Sequence, residues 1–189
     1  MDSKRIRNIR RTYIVFSIMV GVLAPILCYW LIPHFNIESD PLSKFGISEE
    51  TSEIWLLSLM FIAVGLWLNG EYRIDEMIKR EKWRPLLKWM LRVSTFSLLM
   101  MALIDMSWHW THKILALLFF CGYNVFVFAF GIVRSLTYVR RGMFSVVMAI
   151  LMLSTSLLVL PFPSYGIAEI FYILLIVVWN TKVLAKPAL

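Results

Sequence analysis

The sequence predicts an all-α polytopic membrane protein, a six-helix bundle with both termini cytoplasmic, and three observations carry that expectation. The composition is 60% hydrophobic and 15% aromatic with a mean hydropathy of +0.74, beyond what a soluble core of this size uses. Six long apolar stretches recur, close to the roughly 20 residues that crossing about 30 Å of hydrocarbon requires. Seventeen of the nineteen Lys and Arg residues lie in or beside alternate gaps between these stretches, with only Lys44 and Lys113 in the others. Positive segments resist translocation, so this alternation orients every hairpin. The 189 residues form a single membrane domain with little left over for a soluble one.

The first span, 12–32, follows Lys4, Arg5, Arg7, Arg10 and Arg11. It is longer than a cleavable signal's apolar region and ends in Tyr29, Trp30 and Pro33 rather than small residues, so it reads as a retained span. Residues 34–53 carry Glu38, Asp40, Glu49, Glu50 and Glu53 against Lys44, with turn formers at Asp40-Pro41 and Gly46, and form the main outer loop. Span two, 54–68, ends at Asn69. The charged stretch 70–88 suits a cytoplasmic helical extension, with Glu71, Asp75 and Lys79 spaced four apart. Its Ile74, Met77 and Ile78 form a weak apolar stripe that could lie on the membrane, although a solvated connector fits equally.

Pro85 suits the first turn of span three, 86–105, where Lys88 and Arg92 snorkel to the inner surface. A tight outer turn leads to span four, 112–133, with Thr111 as its expected N-cap. Arg134, Arg140 and Arg141 mark the return inside. Span five, 143–160, and span six, 167–183, flank the breaker-rich outer turn Pro161-Phe162-Pro163-Ser164-Tyr165-Gly166. Trp prefers the two headgroup levels, and the tryptophans follow this map: Trp30, Trp55, Trp108 and Trp110 outside, Trp67, Trp83, Trp89 and Trp179 inside. Cys28 and Cys121 fall in apolar stretches and read as small buried hydrophobes rather than a disulfide or a metal pair.

Polar residues at membrane depth are costly and are therefore candidates for function. Asp105, His109, His112 and Glu169 all fall near the outer boundary, with His34 and Glu53 at the same level. One reading is an outward-facing metal site of His109, His112 and Asp105, since imidazole and carboxylate bind Zn and a bound metal could activate water against a lipid ester or amide. The chain reverses between Asp105 and His112, so at most two of the three can use helical spacing. The other reading makes the histidines interfacial and Glu169 a charge favourable to the helix dipole at the start of span six. There is no HExxH, nucleophile elbow or phosphate loop. Asn124, deep in span four, suits a hydrogen bond to a neighbouring helix; Ser94, Thr95, Ser97, Ser154, Thr155 and Ser156 suit close helix packing.

The outer segment Asp40-Pro41-Leu42-Ser43-Lys44-Phe45-Gly46 resembles an xPxSxxG signature that follows the first span in a family of small six-span prokaryotic membrane proteins of unknown function, related to the DRAM and FGF-receptor-activating-protein group. His112, ahead of Ala116 and Phe119-Phe120, is similar to a His, small-residue and aromatic series in that group. The resemblance implies a six-helix bundle concerned with lipid handling and marks Ser43, Gly46 and His112. Ser43 and Gly46 also suit a shaped turn that returns the loop to the membrane. The extended Pro-Glu-Arg-like motif of eukaryotic members is missing, which argues against a role in GPI-lipid remodelling.

Three functions follow as expectations: a non-enzymatic bundle that associates with lipid or with a membrane-protein partner, a metal-assisted lipid hydrolase using Zn at the outer surface, and a small transporter or channel subunit. The first is favoured because the spans are rich in Leu, Met and Phe and the polar set is small. The net charge of +7 points to anionic cytoplasmic lipid and not to nucleic acid, because the basic residues flank apolar spans. The compact loops suit the cytoplasmic membrane of a prokaryote.

Overall fold

The computed structural model describes residues 3–104, 108–157 and 165–184. They form six α-helices: α1 Ser3–Leu31, α2 Ser52–Met77, α3 Arg84–Leu103, α4 His109–Ser135, α5 Val139–Leu157 and α6 Tyr165–Leu184. Short 3₁₀ segments cover Leu42–Gly46 and Glu81–Trp83, and there are no strands among the described residues. The stretches Arg11–Leu31, Ser52–Met77, Glu81–Leu103 and His109–Ser135 are each long and apolar enough to cross a membrane. Aliphatic side chains cover much of the outside: Ile26, Leu27, Leu117, Ile150 and Leu153 are all exposed.

Each helix packs against its successor, and α6 returns to α1 and to the first 3₁₀ segment. Small residues set the closest approaches. A Cβ at Gly142 would collide with the Ser135 backbone and lie 2.6 Å from the Gly131 carbonyl, so α4 and α5 touch through their main chains at the turn that joins them. Gly166 does the same for α6 and the loop, since its Cβ would come within 2.6 Å of the carbonyls of Ile37 and Asp40.

The loop between α1 and α2 packs its aromatic rings onto the core of the bundle. Phe45 is fully buried, stacks on Phe35 at 4.3 Å between ring centroids and meets Trp55 edge-on at 5.3 Å. Thr51 donates to the Phe45 carbonyl at 2.7 Å, and Asp40 accepts from the Asn36 amide at 3.0 Å and from Lys44 at 2.9 Å. Those two partners hold the Asp40 carboxyl below its ordinary range, the Asn36 amide contributing most.

The sequence-based map needs several corrections. Helix α2 does not stop near residue 68; it runs on to Met77, because Gly70 presses onto Leu91 of α3 and the charges beyond it find partners there. Glu71 accepts from Arg92, and Asp75 pairs with Lys88 at 2.8 Å, not with Lys79, which lies past the helix end. Ile74 and Ile78 are fully buried and pack inward, so the stripe belongs to the core. Helix α4 starts at His109 with Trp108 as its N-cap residue, one turn ahead of the role expected of Thr111. Pro85 does occupy the first turn of α3. Cys28 and Cys121 are both free thiols; Cys121 is exposed rather than buried. Ser94, Thr95, Ser97 and Thr155 are buried, but Ser154 is exposed, and Ser156 lies outside the described side chains, as does the turn 158–164. Asn124 faces the α5 backbone, where its amide can donate to the Ala149 carbonyl at 3.1 Å.

Candidate functional site

A cavity of about 510 Å³ opens between α1, α2, α3, α4 and α6 beneath the α1–α2 loop. Its walls are mostly aliphatic and aromatic: Ile18 and Pro25 from α1, Leu59, Ile62 and Leu66 from α2, Leu98 and Met101 from α3, Phe119 and Phe120 from α4, Ile173 and Ile176 from α6. No described side chain of α5 lines it. Pro25 lies inside α1 and has no N–H to bond back along the helix, so the α1 wall lacks one rung beside the cavity.

Polar groups stand at the two ends of this apolar space. At the loop end the lining includes Ser39, Ser43, His109, His112, Lys113 and Glu169. Glu169 accepts the backbone N–H of Leu42 at 2.6 Å, so one of its oxygens pins the loop to the first turns of α6. Nδ1 of His112, a largely buried residue, lies 2.9 Å from the Ile104 carbonyl, the tautomer following from that contact. His109 and Lys113 are exposed at the rim; Lys113 lies over the Trp110 ring at 5.6 Å. At the deep end the lining reaches Ser17 and Asn180.

Below Asn180 the helices close on a buried polar network. Arg73 of α2 is 1% exposed, sits 4.2 Å above the Trp179 ring, and donates to Asn69 and to the carbonyls of Trp179 and Asn180. Asn180 in turn bonds Asn69 and the Tyr123 hydroxyl, and Trp179 donates to Ser145 of α5 at 3.0 Å. Tyr123, Phe126 and Phe130 of α4 each meet the Trp179 ring edge-on. Arg73 forms no ion pair among the described residues; backbone carbonyls at the C-terminal end of α6, where the helix dipole is negative, take that place.

Sequence reasoning therefore gathered part of the site and missed part. His109, His112, Glu169 and Ser43 do line one cavity. Gly46 does not; it lies against Trp55, where a Cβ would approach the indole to 3.2 Å. His34 and Glu53 are exposed and stand apart from the lining. Asp105 lies outside the described residues, and among those described no three His, Cys, Asp or Glu side chains group as a metal site would. The network at the deep end was missed because Arg73 reads as one more cytoplasmic charge and Trp179 as an interfacial anchor, whereas Trp179 is fully buried. The available signal was the spacing of Ile62, Leu66, Asn69 and Arg73, which puts all four on one helical face.

No family model matches the sequence, and neither a curated protein nor a solved structure matches it.

Proposed function

We propose that this protein is a six-span, multi-pass protein of the cell membrane, with both termini cytoplasmic, that holds a lipid by its acyl chain without chemically transforming it. The observation that carries the reading is the cavity, apolar along its length and polar at its ends. Its size falls within the roughly 300–1,000 Å³ of ordinary ligand sites. Glu169 and Asn180 are separated along α6 by a rise of about 16 Å, close to half of a roughly 30 Å hydrocarbon core. An acyl chain of one leaflet suits that depth, with its headgroup near His109, Lys113 and Glu169. The Arg73 network beyond Asn180 favours holding a chain over passing a solute through. The resemblance to the six-span lipid-handling group points the same way, since Ser43 and His112 both line the cavity.

The test is native mass spectrometry of the protein purified in mild detergent, before and after Ala116→Trp. Ala116 lines the cavity wall, and an indole there occupies much of the space. One retained lipid in the parent chain and a loss of about tenfold or more in the variant, the equivalent of at least 1.4 kcal/mol, are expected. Equal retention by both sinks the reading, and retained zinc without lipid moves it to a metal-assisted lipid hydrolase. Sidedness is checked by single cysteines in a chain lacking Cys28 and Cys121: a membrane-impermeant maleimide applied to intact cells labels Ser48→Cys and spares Glu76→Cys.

A further inference from the structure

The loop end of the cavity holds a carboxylate whose charge no described residue offsets. One oxygen of Glu169 accepts the Leu42 N–H at 2.6 Å, and the other makes no hydrogen bond among the described residues. Nor does any Lys, Arg or His pair with it there. Lys44, the one Lys or Arg of the α1–α2 loop, is committed to Asp40, and the arginines stand toward the opposite, basic end of the bundle. A glutamine would pin the loop equally well, because an amide oxygen accepts an N–H as a carboxylate oxygen does. A charge at membrane depth is costly without a partner, so this one calls for a cation brought by the ligand.

Groups of the opposite sign line the same end from α4. Lys113 and His109 sit four residues apart on the cavity side of that helix, and neither pairs with a carboxylate among the described residues. The Tyr172 hydroxyl donates to the Phe120 carbonyl at 2.8 Å, which sets α6 against α4 in depth. Asn180 bonds Tyr123 further along, so the two helices run in the same direction. Lys113 lies seven residues before Phe120 and Glu169 three before Tyr172; the difference of four residues is about 6 Å of depth. An ammonium and a carboxylate thus line one apolar space at nearly one level without closing on each other.

We propose that the lipid held in the cavity is an ethanolamine phospholipid, with its ammonium on the uncommitted Glu169 oxygen and its phosphate toward Lys113 and His109. Its acyl chain follows Phe119, Phe120 and Ile176 toward Asn180. The inference rests on the lipid-holding reading and adds the headgroup to it. A zwitterion lying across the loop end supplies a partner for each charge. The primary ammonium brings three donors, so it meets the carboxylate through charge-assisted hydrogen bonds. The trimethylated headgroup of phosphatidylcholine has the charge without a donor, and the glycerol of phosphatidylglycerol has donors without the charge.

The experiment adds phosphatidylethanolamine, phosphatidylcholine or phosphatidylglycerol of matched acyl chains to the detergent-purified full chain and reads retained lipid by native mass spectrometry. The parent should hold phosphatidylethanolamine about tenfold more tightly than either other lipid. Glu169→Gln, which keeps an acceptor for the Leu42 amide, should bring phosphatidylethanolamine down to the level of phosphatidylcholine. Unchanged hydrogen exchange at Leu42 would show that the loop is still pinned in that variant. Stepwise N-methylation of the ethanolamine headgroup probes the same contact on the unaltered protein, and retention should fall as donors are lost. A preference for phosphatidylethanolamine that survives Glu169→Gln overturns the proposal. Equal retention of all three lipids, abolished by Ala116→Trp, also overturns it but leaves the cavity a lipid site. Retention that is equal and insensitive to Ala116→Trp, or no retention at all, sinks both readings.

Discussion

At the loop end of the bundle α2, α4 and α6 stand apart around an apolar cavity, whereas at the basic end the same three helices close on Arg73, Trp179 and Asn180. The difference is made by what fills the middle. Large rings from α4 and a guanidinium from α2 occupy the closed end; the guanidinium donates to α6, and Asn180 of α6 donates to the Tyr123 hydroxyl. At the open end α6 adds contacts with the loop, by way of Glu169 and Gly166, to the bond that the Tyr172 hydroxyl donates to the Phe120 carbonyl of α4. One end is therefore expected to set global stability and the other to set access.

The largest test of that contrast is a pair of tryptophans. Trp179→Ala removes a fully buried ring and should cost about 3–5 kcal/mol in denaturant unfolding in detergent. Trp110→Ala, at a residue that is 75% exposed at the loop end, should change stability by under about 0.5 kcal/mol. Similar losses for both would erase the distinction between the two ends.

Next comes the loop contact. Glu169→Leu leaves the Leu42 amide without its acceptor, a change of about 1–3 kcal/mol in local stability. Hydrogen exchange at Leu42 should accelerate about tenfold or more, while the amides around Trp179 keep their protection. Uniform acceleration along the chain would mean that the loop is part of the global unit. A finer probe is the bond between Asn69 and Asn180 across α2 and α6. A double-mutant cycle with alanine at both positions should return a coupling near 0.6 kcal/mol and not above about 1.7 kcal/mol, as polar bonds between membrane helices do.

The smallest expected effect is a pH dependence confined to the loop. The folded Asp40 carboxyl titrates below its unfolded value of about 3.9, so its contribution is fully present above that pH and is lost as pH falls through the lower folded value. Loop protection factors, which are corrected for the intrinsic pH dependence of exchange, should fall on acidification below about pH 4, and Asp40→Asn should remove that response. A response unchanged in Asp40→Asn would place its origin elsewhere.

Much of the fold was legible because it rests on periodicities and breakers. The runs of apolar residues, Pro85 at the start of α3 and the polar start of α2 each leave a local mark. Glu169 and His112 were legible as candidates too, because isolated polar residues stand out against apolar spans. Their partners were not, since the Leu42 amide and the Ile104 carbonyl are backbone groups and every residue carries one. Arg73 shows the same limit more sharply. Its side chain reads like those of its basic neighbours, and only the extension of α2 to Met77 and the arrival of α6 convert a surface charge into a buried one. A cavity has no residue of its own, and so leaves nothing in the sequence to read.

The grip of Arg73 on two consecutive carbonyls of α6 has a consequence for assembly. Helix α6 is synthesised long after α2, so until it docks, the guanidinium lacks both of those acceptors. Sliding α6 by a single residue displaces it by about 1.5 Å along its axis and disengages both contacts together. The arginine thus works as a gauge mark for the last helix, rewarding one axial setting and signalling, while unmatched, that the bundle is still unfinished.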